Sequence, residues 1–221
     1  MTTFNLMVGG PAAALPANWQ QLDGQWVGVD RGTLRLLAAA LTPAFAVGDF
    51  DSLTPDELAQ VKTQVKTLHQ APAEKDETDT EMAVRFAFEA GADQVRLVGA
   101  TGGRLDHLLS NLFLPTQPRF QVFADQIELV DAQNQVRFYR PGRHTLKPQS
   151  AYPYLGIVPL TAISLLTIQG AKYPLQDWSS QTPFSWASNE FVGQTPVTIQ
   201  WQSGMVAVIY SRDRLGQKQN N

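Results

Sequence analysis

Strand and helix signals alternate through the first half of the chain and then stop, and that change of pattern bounds the fold more tightly than any single motif. "FNLMVGG" (4–10) reads as a strand running into a glycine turn, and "WVGVDRG" (26–32) as a second short strand followed by a helix through "TLRLLAAAL". "AFAVGDF" (44–50) is a third strand. A helix through "TPDELAQVKTQVKTLHQ" (54–70) follows, with Thr54 as N-cap, Pro55 at its first position and Glu57 completing a capping box. After the loop "APAEKDETD" comes a helix through "TEMAVRFAFEAG", stopped by Gly91. "QVRLVGA" is a fourth strand, and "LDHLLSNLF" a helix behind the turn "TGGR". Such alternation predicts a mostly parallel sheet covered by helices.

From Phe120 onward the segments are short and alternate with period two: "FQVFA", "IELVDA", "QVRFYR", "GIVPL", "ISLLTI". "VTIQWQSGMVAVIY" (197–210) reads as a hairpin turning at Ser203-Gly204. This spacing predicts an all-β sandwich. The expected organisation is an α/β N-terminal domain with a mostly parallel sheet over residues 1–122 and an all-β sandwich domain over 123–221, divided near "PTQPRF".

Composition excludes several partners. With a net charge of −3 and no Lys/Arg block, the chain lacks the basic stripe of a nucleic-acid binder. It has no cysteine, hence no disulfide, thiolate metal site or cysteine nucleophile. No run approaches the roughly 18 apolar residues of a membrane span, and "MTTFNLMVGG" does not read as a signal peptide. The expectation is a cytoplasmic protein with no membrane partner.

Six aspartates fall at strand or helix termini in the first half. Asp30 closes strand two, Asp49 and Asp51 close strand three, and Asp106 follows strand four. Read as an extended segment, "DFD" turns both acids to one side and Phe50 to the other. Asp76 and Asp79 lie three apart around a helix start, a spacing that shares a helix face. Each acid alone can be a turn residue or a cap. Together, at the carboxyl edge of an open sheet, they fit Mg²⁺, which takes one or two carboxylates plus substrate phosphates. "GATGGRLDH" (99–107) adds glycines whose amides can approach a phosphate, a guanidinium that can grip one, and a helix start. His107 can stack on a base or simply pack. The P-loop and the dinucleotide fingerprint are both absent.

At this point the chain resembles the thiamine pyrophosphokinase family. The resemblance rests on "VDRG", "GDFDSL", "KDETDTEMA", "GATGGRLDH", "GAKYPL" (170–175) and "SNEFVG" (188–193), which occur in the family's order. It implies transfer of a diphosphate from ATP to thiamine with Mg²⁺, an α/β nucleotide domain and a β-sandwich domain, and a homodimer holding thiamine between subunits. Carried over by motif, Asp49, Asp51 and Asp79 look like metal and triphosphate acids, with Asp76 close by and Asp30 beside nucleotide and substrate. Gly102, Gly103, Arg104, Asp106 and His107 look like nucleotide contacts, and Ser188 and Asn189 like thiamine contacts. Trp186 and Trp178 stand near that motif and can stack on a flat cation or pack in the sandwich core. For Asn189 to join Trp186 and Ser188 on one side, the chain has to bend there. Asp30 and Asp76 are both candidates to accept the hydroxyl proton. Two other classes compete: another metal-dependent nucleotide-using transferase with a D-x-D motif, and a non-enzymatic thiamine or nucleotide sensor.

Overall fold

A computed structural model describes residues 1–70 and 76–213; part of the expected loop after residue 70 and the polar tail lie outside the described residues. The chain divides into two compact units. One comprises Met1–Leu114 with Gln126–Ala132, and the other Pro115–Asp125 with residues 133–213.

In the first unit six strands pair in parallel: β1 (Thr3–Met7), β2 (Gln25–Val29), β3 (Phe45–Gly48), β4 (Leu68–Gln70), β5 (Gln94–Val98) and β6 (Ile127–Val130). Their spatial order is β6-β5-β1-β2-β3-β4. Four helices belong to it: α1 (Gly32–Ala38), α2 (Pro55–Gln64), α3 (Asp79–Glu89) and α4 (Leu105–Phe113). The strands are apolar runs, buried along nearly their whole length in β1, β2 and β3, as strands covered on both faces must be. Met7, Trp26, Leu36 and Val98 form one cluster, and Ala46, Phe50, Val61 and Val65 another.

Two parts of this unit differ from the expectation. The second long helix ends at Gln64, because Val65 turns extended (φ −107°, ψ 119°). Leu68–Gln70 instead pairs with β3, where His69 stacks on Phe86 at 4.0 Å and meets Phe45 edge-on at 5.3 Å. "IELV", expected in the second domain, is β6 and extends the parallel sheet beside β5. Its Glu128 is buried yet ion-paired, Arg96 Nε to Oε1 at 2.6 Å, and Arg96 Nη1 also donates to Asn5 Oδ1 at 2.8 Å. A polar chain thus ties β6, β5 and β1 together, and a buried carboxylate so held avoids most of its desolvation cost.

The second unit is antiparallel. Its strands are β7 (Asn134–Tyr139), β8 (Gly142–Leu146), β9 (Tyr154–Pro159), β10 (Ile163–Gln169), β11 (Leu175–Ser180), β12 (Trp186–Glu190), β13 (Val197–Trp201) and β14 (Val206–Ser211). They form two runs, β12-β9-β14-β7 and β11-β10-β13-β8. Leu155, Ile157, Val208 and Tyr210 from the first run share a core with Leu166, Ile199 and Trp201 from the second.

Two readings are corrected here as well. "FQVFA" is not a strand: Gln121–Gln126 form a 3₁₀ turn in which only Ala124 is buried, and Val122 points to solvent. "VTIQWQSGMVAVIY" is not a hairpin either. β13 and β14 each have a buried face and belong to different runs, so Ser203-Gly204 carries the chain from one to the other. Gly204 needs its glycine, since φ is +96° and a Cβ there would stand 2.2 Å from the Ala162 carbonyl oxygen.

Candidate active site

Because β2 and β3 are parallel neighbours, the turns leaving them emerge at one edge, and their acids meet there. Asp30 follows β2 in a left-handed conformation (φ +45°), with its amide donating to Val47 O at 2.8 Å. Ser52 Oγ, from the turn after β3, donates to Asp30 Oδ2 at 2.7 Å. Asp30 Oδ1 is buried without a hydrogen-bond partner. Arg31 spans the same two turns, donating to Ser52 O at 2.6 Å and pairing with Glu57 at 3.2 Å.

"DFD" is not extended. Phe50 adopts φ +58° and is buried, and the Asp51 amide donates to Asp49 Oδ1 at 3.1 Å. A tight turn, not a pleat, therefore brings the two acids together. The charge of Asp49, with burial and the more distant Asp30, holds the Asp51 carboxyl above the usual carboxylate range. Negative charge is thus crowded at this edge of the sheet.

The acids before α3 are arranged differently from expectation. Asp79 is the first helical residue, but Asp76 lies ahead of the helix in a bend and shares no helix face with it. The cap is Thr78, whose hydroxyl accepts from the Glu81 amide at 3.2 Å while Glu81 returns a bond to the Thr78 amide at 2.8 Å. Neither aspartate acts as the N-cap. Among the described residues no group of three or more acids or histidines stands close enough together to hold a metal ion by itself. Asp49 and Asp51 nevertheless suit Mg²⁺, which needs few protein carboxylates when phosphates complete its shell.

The turn after β5 holds the expected glycines, with Gly102 left-handed at φ +77°. Thr101 Oγ1 donates to the buried Asp131 at 2.7 Å, and Asn111 Nδ2 to Ala100 O at 3.1 Å. The loop shape is thus fixed from β6 and from α4. Arg104 is 74% exposed and its guanidinium embraces Asp106, with Nε to Oδ1 at 3.1 Å. The Asp106 carboxyl is held below the usual range by that guanidinium. Arg104 and Asp106 neutralise one another in this structure, and His107 is exposed beside them.

In the second unit the chain bends where expected. Ser188 has φ +58°, and the pairing of β12 with β9 slips between Trp186 and Asn189, the signature of a bulge. Ser188 is exposed. Trp186 stands edge-on to Trp178 at 5.4 Å and 4.8 Å from Phe184, and its Nε1 is buried without a partner. Asn189 is only 3% exposed. Its amide is engaged by the "GAKYPL" turn: Tyr173 N donates to Oδ1 at 3.0 Å and Nδ2 donates to Tyr173 O at 2.8 Å.

Sequence reasoning missed Ser52, Asp131 and Tyr173. Ser52 sits inside the recognised "GDFDSL" block, and its side chain needed only to be counted with the acids. Asp131 carries no local signal, because β6 was assigned to the other half. Tyr173 lies inside the "GAKYPL" block, where nothing local marks it as the partner of Asn189.

Acids and glycine turns gathered at the carboxyl edge of an open parallel sheet define an α/β unit of the nucleotide- and phosphate-handling class, here in one chain with an antiparallel two-run unit. Residues 17–126 match the thiamin pyrophosphokinase catalytic domain, and residues 143–206 match the vitamin B1 binding domain of the same enzymes. The chain is 34% identical over 218 residues to the thiamine pyrophosphokinase of Bacillus subtilis, covering 96% of this chain and all of that protein. A crystal structure of a Lactobacillus plantarum protein is 44% identical with a TM-score of 0.90, covering 97% of this chain and all of the other. A thiamin pyrophosphokinase family protein from Enterococcus faecalis is 41% identical with a TM-score of 0.88, at the same coverages. The chain belongs to the thiamine pyrophosphokinase family.

Proposed function

We infer that this chain makes thiamine diphosphate, moving the diphosphate of ATP onto the hydroxyethyl oxygen of thiamine and releasing AMP. The observation that carries the reading is the match to both domains of one family, in order, on a chain that aligns with its relative over 96% of its length. The first unit is the nucleotide and catalytic part, and the second the thiamine part.

The bond formed joins the thiamine oxygen to the β-phosphorus. The bond broken joins that phosphorus to the oxygen bridging to the α-phosphate, so AMP departs with the electron pair. Such transfers depend on positioning and charge stabilisation. Mg²⁺ bound by Asp49, Asp51 and Asp79 would supply the positive charge that the phosphate chain needs. Asp30 is the better candidate to take the hydroxyl proton, because Ser52 occupies one of its oxygens and leaves the other without a partner. Asp76, exposed in a bend three residues before Asp79, stands in the chain beside the metal acids. The amides of Gly102 and Gly103 and the side chains of Arg104, Asp106 and His107 face the nucleotide, with Arg104 leaving Asp106 to do so. Trp186 and Ser188 receive thiamine, and Asn189 shapes the surface by holding Tyr173. The working form is a cytoplasmic homodimer with sites shared between subunits, as the family resemblance implies.

The test is product formation: AMP and thiamine diphosphate appearing together, only when ATP, thiamine and Mg²⁺ are all present. Binding of both ligands without AMP would favour the sensor, and AMP formation with another acceptor would favour a different transferase. Sedimentation equilibrium tests the dimer. Mixing Asp51→Asn with Trp186→Ala chains tests shared sites, since exchange between them should restore activity to one hybrid site.

A further inference from the structure

The strand order reverses at a place that none of the site residues above occupies. From β1 the chain builds outward through β2 and β3 to β4 on one side, while β5 and β6 lie on the other. The chain therefore leaves β1 for one side of the sheet and β5 for the other, which makes the β1–β5 boundary a switch point. In open α/β sheets ligands enter at such a switch point, beyond the carboxyl ends of the strands.

Two glycine turns line it, stitched backbone to backbone. Val8 N donates to Val98 O at 2.8 Å and Gly10 N to Gly99 O at 2.8 Å. A Cβ on Gly9 would meet nothing within 4 Å, so the wall is open beside it.

Arg35, from α1, reaches the seam between these turns. Its Nη1 donates to Val8 O at 3.3 Å and lies 3.8 Å from Met7 Sδ, and a Cβ on Gly99 would stand 3.4 Å from the same nitrogen. The four other arginines of this unit have acids: Arg31 has Glu57, Arg85 has Glu77 and Glu89, Arg96 has Glu128 and Arg104 has Asp106. Among the described residues no carboxylate lies within ion-pair distance of Arg35. A guanidinium drawn partly out of water, with one carbonyl and a weakly accepting thioether as partners and no carboxylate, is poorly compensated. Burial accordingly pulls its pKa below the ordinary value, though no neighbouring charge acts on it. What completes such a site is an anion with several oxygens, matching the planar fork. β1 neighbours β2, so the seam lies one strand from Asp30.

We propose that Arg35 is a nucleotide-binding residue whose free donors grip a phosphate of the triphosphate at the β1–β5 switch point. This rests on the reading of the chain as an ATP-using enzyme. Phosphate on Arg35, with the acids after β2 and β3 to one side, would set where the chain of phosphates starts and in which direction it runs.

The experiment is calorimetric titration of the full-length protein with tripolyphosphate, ATP, adenosine and thiamine, for the wild type, Arg35→Met and Arg35→Lys. Losing charge-assisted hydrogen bonds should weaken tripolyphosphate and ATP by about tenfold or more in Arg35→Met, with adenosine and thiamine unchanged. Arg35→Lys should fall between, keeping the charge without the fork. Unchanged tripolyphosphate affinity in Arg35→Met overturns the proposal. So does equal weakening of adenosine and tripolyphosphate, which would mean a role in shaping the sheet edge alone. If Arg35→Met does not fold, Arg35→Lys decides by the same criteria. A wild type that binds neither ATP nor tripolyphosphate overturns the functional reading itself, and the proposal with it.

Discussion

Asn189 grips the peptide of Tyr173 from both sides, accepting from its N–H at 3.0 Å and donating to its carbonyl at 2.8 Å. A third bond, from the Glu190 amide to Oδ1 at 2.9 Å, fixes the amide plane. Only one Nδ2 hydrogen is left for a ligand. The residue that a motif comparison offers as a vitamin contact is, in this fold, the clasp that holds the 170–175 turn against β12.

Asn189→Ala should therefore destabilise the protein even without ligand. The variant removes a buried amide that satisfies the backbone N–H and carbonyl of Tyr173, a loss of about 1–3 kcal/mol, readable as a lower urea midpoint with an unchanged slope. Thiamine affinity should fall with it, because Tyr173, 57% exposed, moves with its turn. In a Tyr173→Ala background Asn189→Ala should cost thiamine little more. Additive losses would mean that Asn189 touches the vitamin directly.

Asp51→Asn should cost activity and gain stability. If Asp51 helps carry the metal charge, its loss removes several kcal/mol of transition-state stabilisation, on the order of 10²–10³ in rate. Without ligand, repulsion from Asp49 and Asp30 outweighs the backbone bond that this carboxylate accepts at Ser52. Its folded pKa is raised above 3.8, so the native state keeps its proton longer than the unfolded chain does. Stability then falls as pH rises from about 3.8 through the raised value. Asp51→Asn should abolish that fall, so its melting temperature should match the wild type at low pH and exceed it near neutrality. Wild-type turnover surviving excess chelator would contradict the metal role.

The alternation of the first half was legible because buried parallel strands and capped helices carry strong local signals: Thr54 and Glu57 form the capping box that their spacing announces. The bend at Ser188 was legible too, from the need to bring Asn189 round. What failed was nonlocal. Nothing in "LHQ" distinguishes a helix end from an edge strand until His69 finds Phe86 and Phe45. Nothing in "IELV" tells which neighbour it will pair with. Asp49 and Asp51 were expected together, but through a pleat. The structure uses a left-handed Phe50 and an Asp49 side-chain bond, a conformation available to the chain only because Phe50 has a pocket to fill.

Gly10→Ala should separate nucleotide from vitamin binding. A Cβ there would sit 2.2 Å from Gly99 O and 2.9 Å from Thr101 O. Both obstacles are backbone, so the β1 and β5 turns must part. Melting temperature should drop, and titration should show weakened ATP with thiamine nearly unchanged. Gly9→Ala, which meets nothing within 4 Å, serves as the control and should fold as the wild type does.

Thiamine should be detectable by tryptophan fluorescence, and the signal should come from Trp186. Trp178 and Trp186 stand edge-on at 5.4 Å, with Phe184 closing the group at 4.8 Å from Trp186 and 5.3 Å from Trp178. Phe184 is 45% exposed, too open to be there for core burial alone. A flat cation laid on this group gains roughly 0.5–2 kcal/mol per ring face, which is about 2- to 30-fold in affinity. Trp186→Leu should lose both that affinity and the fluorescence change. Phe184→Ala should lose part of the affinity and keep the change, because Phe184 supports the indole without being the reporter. Trp178→Phe should bind nearly as the wild type does, since Trp178 stands opposite the fully buried Leu166 across the β10–β11 pair, on the core side of the strand. If the fluorescence change survived in Trp186→Leu and vanished in Trp178→Phe, the stacking surface would be assigned to the wrong indole.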